Sequence, residues 1–236
     1  MAIRKQILSS RARVAMTVLG ACSLFLSAYT EAAVITPGAP SQSTPGNFTF
    51  AGLTQVDLPG PGNVPADETF TVTAYDTSGN ARYTASVESK VLLDPSGYLD
   101  FAYQVTNLGN TGLPDSLHTV SVTSYRGYTT NVDYVSGTGQ VTYDTVDRLA
   151  VAQGVTLTFD YTPVANNIAS GDATDWILIK TNATSFDNNG TTQLIDGATA
   201  SVESFKPVPE PVSLGFLASA GLLLVARPVR RNRSAK

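Results

Sequence analysis

From residue 48 to residue 205 the chain alternates apolar and polar positions, the period-two pattern of strands that bury one face. In TFTVTAY, Phe70, Val72 and Ala74 share one face while Thr69, Thr71 and Thr73 share the other. In YTASVESKV, Tyr83, Ala85, Val87 and Val91 point inward and Glu88 and Lys90 outward. The same alternation runs through Leu99, Phe101, Tyr103 and Val105, and through Val155, Leu157, Phe159 and Tyr161. Further strands are expected over residues 119–125, 129–135, 140–144 and 198–205. DWILIKT, residues 175–181, is apolar on successive positions, which predicts a central strand packed on both faces. Turn signals separate the runs: Asp76-Thr77-Ser78-Gly79, Asp94-Pro95-Ser96-Gly97, Asn107-Leu108-Gly109-Asn110, Asn166-Asn167 and Asp187-Asn188-Asn189-Gly190. Eight or nine strands at this spacing predict an all-β domain, an antiparallel sandwich of immunoglobulin-like or jelly-roll type.

The two ends have a different pattern. Residues 1–33 combine a basic start (Arg4, Lys5, Arg11, Arg13), an apolar run from Val14 to Ala28, and small residues at Ala32 and Ala33. This is the layout of a secretory signal peptide, an N-terminal signal helix removed by signal peptidase after Ala32 or Ala33. An uncleaved membrane helix is the bland alternative, although the run is shorter than the ~20 residues a span needs. Leu19-Gly20-Ala21-Cys22 also matches a loose lipoprotein box, but Cys22 sits inside the apolar run rather than at its polar edge. Residues 34–46, rich in Pro, Gly, Ser and Thr, read as a flexible leader, and residues 47–206 as the folded ectodomain.

Charge sharpens this division. Residues 34–206 carry 17 Asp and Glu against 6 Lys and Arg, a net charge of −11, and such a surface repels phosphate backbones, so nucleic acid is excluded as a partner. Cys22 is the only cysteine, so the body holds together without disulfides. His118 is the only histidine. A catalytic set built from Asp115, Ser116 and His118 would need sequence neighbours to adopt a geometry that neighbours rarely reach, and no Gly-x-Ser-x-Gly elbow is present. No metal or other cofactor is expected, and no reaction is assigned.

Weaker candidates have simpler explanations. Paired carboxylates could serve an exported glycosidase, but the acids fall in turns and on outward strand positions where solvation accounts for them. Asp187-Asn188-Asn189-Gly190 offers oxygen ligands for calcium without the full calcium-loop spacing, and turn stabilisation explains it. Trp176, Tyr125, Tyr128 and Tyr134 could make a sugar-stacking platform, yet Trp176 within WILI reads as core. Asn47, Asn182 and Asn189 begin N-glycosylation acceptor patterns, which are consistent with exposed loops.

Residues 207–236 hold Pro209-Glu210-Pro211, an apolar run from Val212 to Ala226, and Arg227, Arg230, Arg231 and Arg233. Fifteen residues rise ~22 Å as a helix against a hydrocarbon core of ~30 Å, a short transmembrane helix completed by snorkelling arginines that stay cytoplasmic. The two prolines keep the preceding backbone extended. This order and spacing resembles the PEP-CTERM sorting signal of Gram-negative bacteria. The departures are Pro228 and Val229 within the basic cluster and Val212 where Ser or Thr is common. The resemblance implies recognition at Pro209, Glu210 and Pro211 by an exosortase, a basic tail at Arg227, Arg230, Arg231 and Arg233, transient residence in the inner membrane, and export into an exopolysaccharide-rich setting. The expected product is a cell-surface or exopolysaccharide-matrix protein of structural or adhesive character. A carbohydrate-binding module is the alternative, and an exported hydrolase a third reading.

Overall fold

The computed structural model describes residues 33–38, 42–43, 49–58, 65–109, 116–148, 155–162 and 167–209. Within them the chain is all-β: thirteen strands form two sheets, and every pairing between strands is antiparallel. The first sheet runs β1 (Ala33–Val34), β8 (Thr130–Val135), β11 (Trp176–Ala183), β6 (Leu99–Asn107) and β5 (Ala81–Leu93), with β3 (Thr54–Gln55) and β4 (Asp67–Tyr75) both on the outer side of β5. The second runs β13 (Ala198–Pro207), β12 (Phe186–Asp196), β7 (Thr119–Val122), β10 (Leu157–Asp160), β9 (Thr145–Arg148) and β2 (Gln42–Ser43).

Alternation places the core between the sheets. Tyr83, Ala85, Val87 and Val91 of β5 and Phe101, Tyr103 and Val105 of β6 join Val120, Leu157, Phe159, Leu194 and Phe205 of the second sheet in one buried cluster. Burying each of the valines, leucines and phenylalanines contributes roughly 1.5–3 kcal/mol, the main favourable term in a body without disulfides. Three tyrosines bring hydroxyls into this cluster and satisfy them. Tyr83 donates to the Leu194 carbonyl at 2.7 Å, Tyr103 donates to the Phe205 carbonyl at 2.6 Å, and the Tyr103 and Tyr125 hydroxyls lie 2.8 Å apart.

Strand β11 packs on both faces, as its successive apolar residues predict. Ile177 and Ile179 enter the main core, while Trp176 and Leu178 join Leu92, Ala102 and Val135 in a second cluster on the outer face of the first sheet, covered by Phe50 and Leu53. Phe50 meets the Trp176 ring edge-on at 5.9 Å, and Lys90 Nζ lies 4.5 Å from the ring centre while pairing with Glu88 at 2.6 Å.

The two Asp-x-Ser-Gly signals are turns. Asp76 Oδ1 accepts the amides of Ser78 and Asn80, Asp94 Oδ1 accepts those of Ser96 and Tyr98, and Gly79 and Gly97 close each turn at positive φ.

Three expectations are corrected. Asp187-Asn188-Asn189-Gly190 is not a turn: it lies inside β12, where the register against β13 shifts between Asp187 and Gly190. A Cβ on Gly190 would stand 2.7 Å from the Ser204 carbonyl, so the bulge needs a glycine for close strand approach. The strand expected over residues 140–144 is displaced to β9, and Val141 instead bridges Thr174 in parallel. The leader expected to be flexible over residues 34–46 is held at each of its strand pairs: β1 pairs with β8, β2 with β9, and Ile35, 2% exposed, enters the core.

Arg148 explains that docking. Its Nη1 donates to the Thr130 hydroxyl at 2.9 Å and the Ile35 carbonyl at 3.3 Å, its Nη2 donates to the Tyr125 carbonyl, and its own carbonyl accepts the Gly38 amide at 2.8 Å. One guanidinium thus ties the first strand to both sheets. Arg148→Met is expected to cost about 2–4 kcal/mol, because buried carbonyls lose charge-assisted donors, and Arg148→Lys to recover only part of it, since an ammonium cannot fork. Urea midpoints of the three proteins check this.

Candidate functional site

The residues expected from the sequence to be processed flank the two ends of the body. At the amino-terminal end, Ala33 pairs with Val132 and Val34 with Asn131, and the Ile35 amide donates to the Thr130 carbonyl at 2.9 Å. Ala33 is therefore a strand residue, whereas Ala32 lies outside the described residues. A cut after Ala32 would keep β1 whole; a cut after Ala33 would leave its second residue and the Ile35 anchor.

At the carboxyl-terminal end, β13 pairs with β12 as far as Pro207, which faces Phe186. The next residue is clamped as well. The Val208 amide donates to the Ser185 carbonyl at 3.0 Å, and the Ser185 hydroxyl donates to the Val208 carbonyl at 3.1 Å. Phe186 packs edge-on against Phe205 at 5.7 Å and holds this corner to the core. Pro209 follows immediately and is exposed. Glu210, Pro211, Arg227, Arg230, Arg231 and Arg233 lie outside the described residues. Val208, clamped to the body, thus directly precedes Pro209, the first residue of the Pro-Glu-Pro motif.

The remaining candidates divide. His118 faces an acid, but that acid is Asp196 at the β12–β13 hairpin, with Nδ1 2.7 Å from Oδ1. Asp115 lies outside the described residues, and among the described residues no hydroxyl joins the pair. The arrangement staples the start of β7 to the hairpin. Sequence inspection missed Asp196, although Asp196-Gly197 between two alternating runs is itself a hairpin signal.

The four aromatics considered for sugar stacking do not assemble. Tyr125 is fully buried in the main core, Trp176 is 7% exposed on the other face of the first sheet, and Tyr134 packs edge-on against Tyr143 at 6.1 Å. Tyr128 is half-buried against the main core. Among the described residues no three His, Cys, Asp or Glu side chains are grouped to hold a metal ion.

Asp175 is a carboxylate with three donors. Oδ1 accepts the amides of Thr138 and Gly139 at 3.0 and 2.9 Å, and Oδ2 accepts the Thr142 hydroxyl at 2.7 Å. Every one of these donors belongs to the loop after β8, so the carboxylate fastens that loop to the start of β11. No family model matches the sequence, no curated protein is similar to it, and no solved structure matches it.

Proposed function

We propose that this chain is an exported protein of the cell surface or exopolysaccharide matrix, in which a β-sandwich of immunoglobulin-like or jelly-roll type serves as a structural or adhesive unit. Its ends direct its route. Signal peptidase removes the signal peptide after Ala32 or Ala33, and an exosortase acts at Pro209-Glu210-Pro211 while the apolar run from Val212 to Ala226 rests in the inner membrane and Arg227, Arg230, Arg231 and Arg233 stay cytoplasmic.

The observation that carries this reading is the uninterrupted order at residues 198–233. The last strand is clamped to the body at Val208, Pro209 is exposed, and the Pro-Glu-Pro, short apolar and arginine segments follow without a linker. An extended proline segment beside a bilayer is a good substrate for a membrane-embedded enzyme, and the acidic body, repelled by anionic headgroups, remains free of the membrane surface.

Intact-mass measurement of protein recovered from the surface of producing cells tests the proposal. The expected mass lacks residues 1–32 or 1–33 together with the apolar run and basic tail. A mass that retains residues 212–236 overturns processing and leaves a membrane-anchored protein.

A further inference from the structure

We propose that β4 is a self-pairing edge, through which a second copy of this chain extends the first sheet in a two-fold symmetric dimer. Among the described residues β4 pairs as a strand with β5 alone, in unbroken register from Asp67 to Ala74, and lies at the margin of that sheet, with β13 of the second sheet packed near it. In an antiparallel pair alternate residues turn their amides and carbonyls away from the partner, so the far side of β4 presents a row of such groups. Proteins blunt such margins with Lys, Pro, bulges or very short strands. The other margins use these devices: β13 carries Lys206 and Pro207 and has a bulged neighbour, and β1, β2 and β3 are two residues long. β4 has nine residues, no Lys, Arg or Pro, and no irregularity before Tyr75.

The sequence of β4 complements itself. Thr69-Phe70-Thr71-Val72-Thr73 is a near-palindrome about Thr71. In an antiparallel pair centred there, Thr71 faces Thr71 of the second copy, Thr69 faces its Thr73, and Phe70 faces its Val72. Asp67 then faces Tyr75 of the second copy and Glu68 its Ala74, so no acid opposes an acid along the seam. On the inner side, Phe70 and Val72 are only partly buried against the core, and each would be covered by the other's counterpart, the aromatic to β-branched pairing that strands favour. On the outer side, the threonines would prolong a hydroxyl row already begun within one chain, where Thr73 and Thr84 lie 3.0 Å apart. Tyr75, 60% exposed in one copy, gains a neighbour. A two-fold contact of this kind closes on itself, so it yields dimers rather than filaments.

Sedimentation velocity on the protein purified from exporting cells, across its soluble concentration range, tests the proposal. The wild type is expected to dimerise with rising concentration. Thr69→Lys/Thr73→Lys sets two lysine pairs face to face across the seam and should weaken the dimer by about tenfold or more, whereas Thr69→Lys/Thr73→Glu sets Lys against Glu and should retain it. Thr69 is exposed and Thr73 half-buried, and both variants lose the same Thr73–Thr84 hydroxyl contact, so the two should share one circular dichroism spectrum and, at concentrations where both are monomeric, one urea midpoint. A wild type that stays monomeric to its solubility limit, or two double variants that dimerise alike, would overturn self-pairing through β4.

Discussion

Replacing Gly139 by alanine is expected to leave little folded protein. A Cβ at this position would lie 2.0 Å from the Thr174 carbonyl oxygen, 2.2 Å from its carbonyl carbon and 2.6 Å from the Asp175 nitrogen, all of them backbone atoms. Neither side can retreat. The Thr174 amide is bonded to the Val105 carbonyl at 2.8 Å and the Asp175 amide to the Val141 carbonyl at 2.7 Å, while the Asp175 carboxylate grips the amides of Thr138 and Gly139 from the other direction. Relief would pull the start of β11 out of the centre of its sheet. We expect a loss of about 3 kcal/mol or more, a large share of the 5–15 kcal/mol that holds a typical domain, read as a collapse of soluble yield and of the urea midpoint. Gly79→Ala is the matched control: its site is open on all sides, so only the positive φ is lost, at about 1 kcal/mol.

Asp100→Asn is expected to stabilise the protein at neutral and higher pH. Asp100 stands on the outer face of β6, fully buried, and among the described residues neither carboxylate oxygen has a well-formed hydrogen bond, the Thr181 amide giving a weak contact alone. Burial pushes its carboxyl up to about 7; Lys180 beside it pulls the other way, Asp94 adds to the rise, and the Thr181 amide opposes it slightly. The folded chain therefore keeps a proton that the unfolded chain, with an ordinary value of ~3.9, releases. The stability tied to that proton is fully present below about pH 4 and is lost progressively as the pH rises to about 7. Beyond that the penalty is constant at up to about 4 kcal/mol, taking 1.36 kcal/mol per unit as the conversion. Asparagine cannot ionise. Urea midpoints between pH 4 and 8 should nearly coincide at the acid end and diverge in favour of the variant toward pH 8; parallel curves would assign the penalty elsewhere.

How far the fold was legible follows from contrast between faces. β4, β5, β6 and β10 separate apolar from polar side chains at every second residue, and β11 declares itself by having no polar face at its start. β12 was hidden because its bulge is written in turn residues: Asp187, Asn188, Asn189 and Gly190 satisfy local bonds whether the chain reverses or merely shifts register. β9 was hidden because Thr145-Val146-Asp147-Arg148 reads as exposed, and acceptors from distant segments, the Ile35 and Tyr125 carbonyls and the Thr130 hydroxyl among them, make it favourable to bury Arg148. The docking of Ile35 depends on that same arginine, which explains why a Pro-rich and Ser-rich stretch looked free of the body. At the candidate site the motif residues were readable one by one, but the clamp from Ser185 to Val208 joins positions 23 apart and leaves no local trace. The pairing of His118 with Asp196, 78 residues apart, is equally invisible to a linear scan.

The same clamp governs how the body bears load. β13 runs from its hairpin at Gly197 toward Val208 alongside β12, so a pull on Val208 directed away from that hairpin acts along the strand axis. Under that direction of force the cross-strand bonds between β12 and β13 are strained together, in shear, whereas a pull across the strand would open them in succession like a zipper. The Ser185 bonds are at the loaded end and resist the first step of peeling. A tether attached after residue 208 therefore grips the body in its mechanically stronger direction.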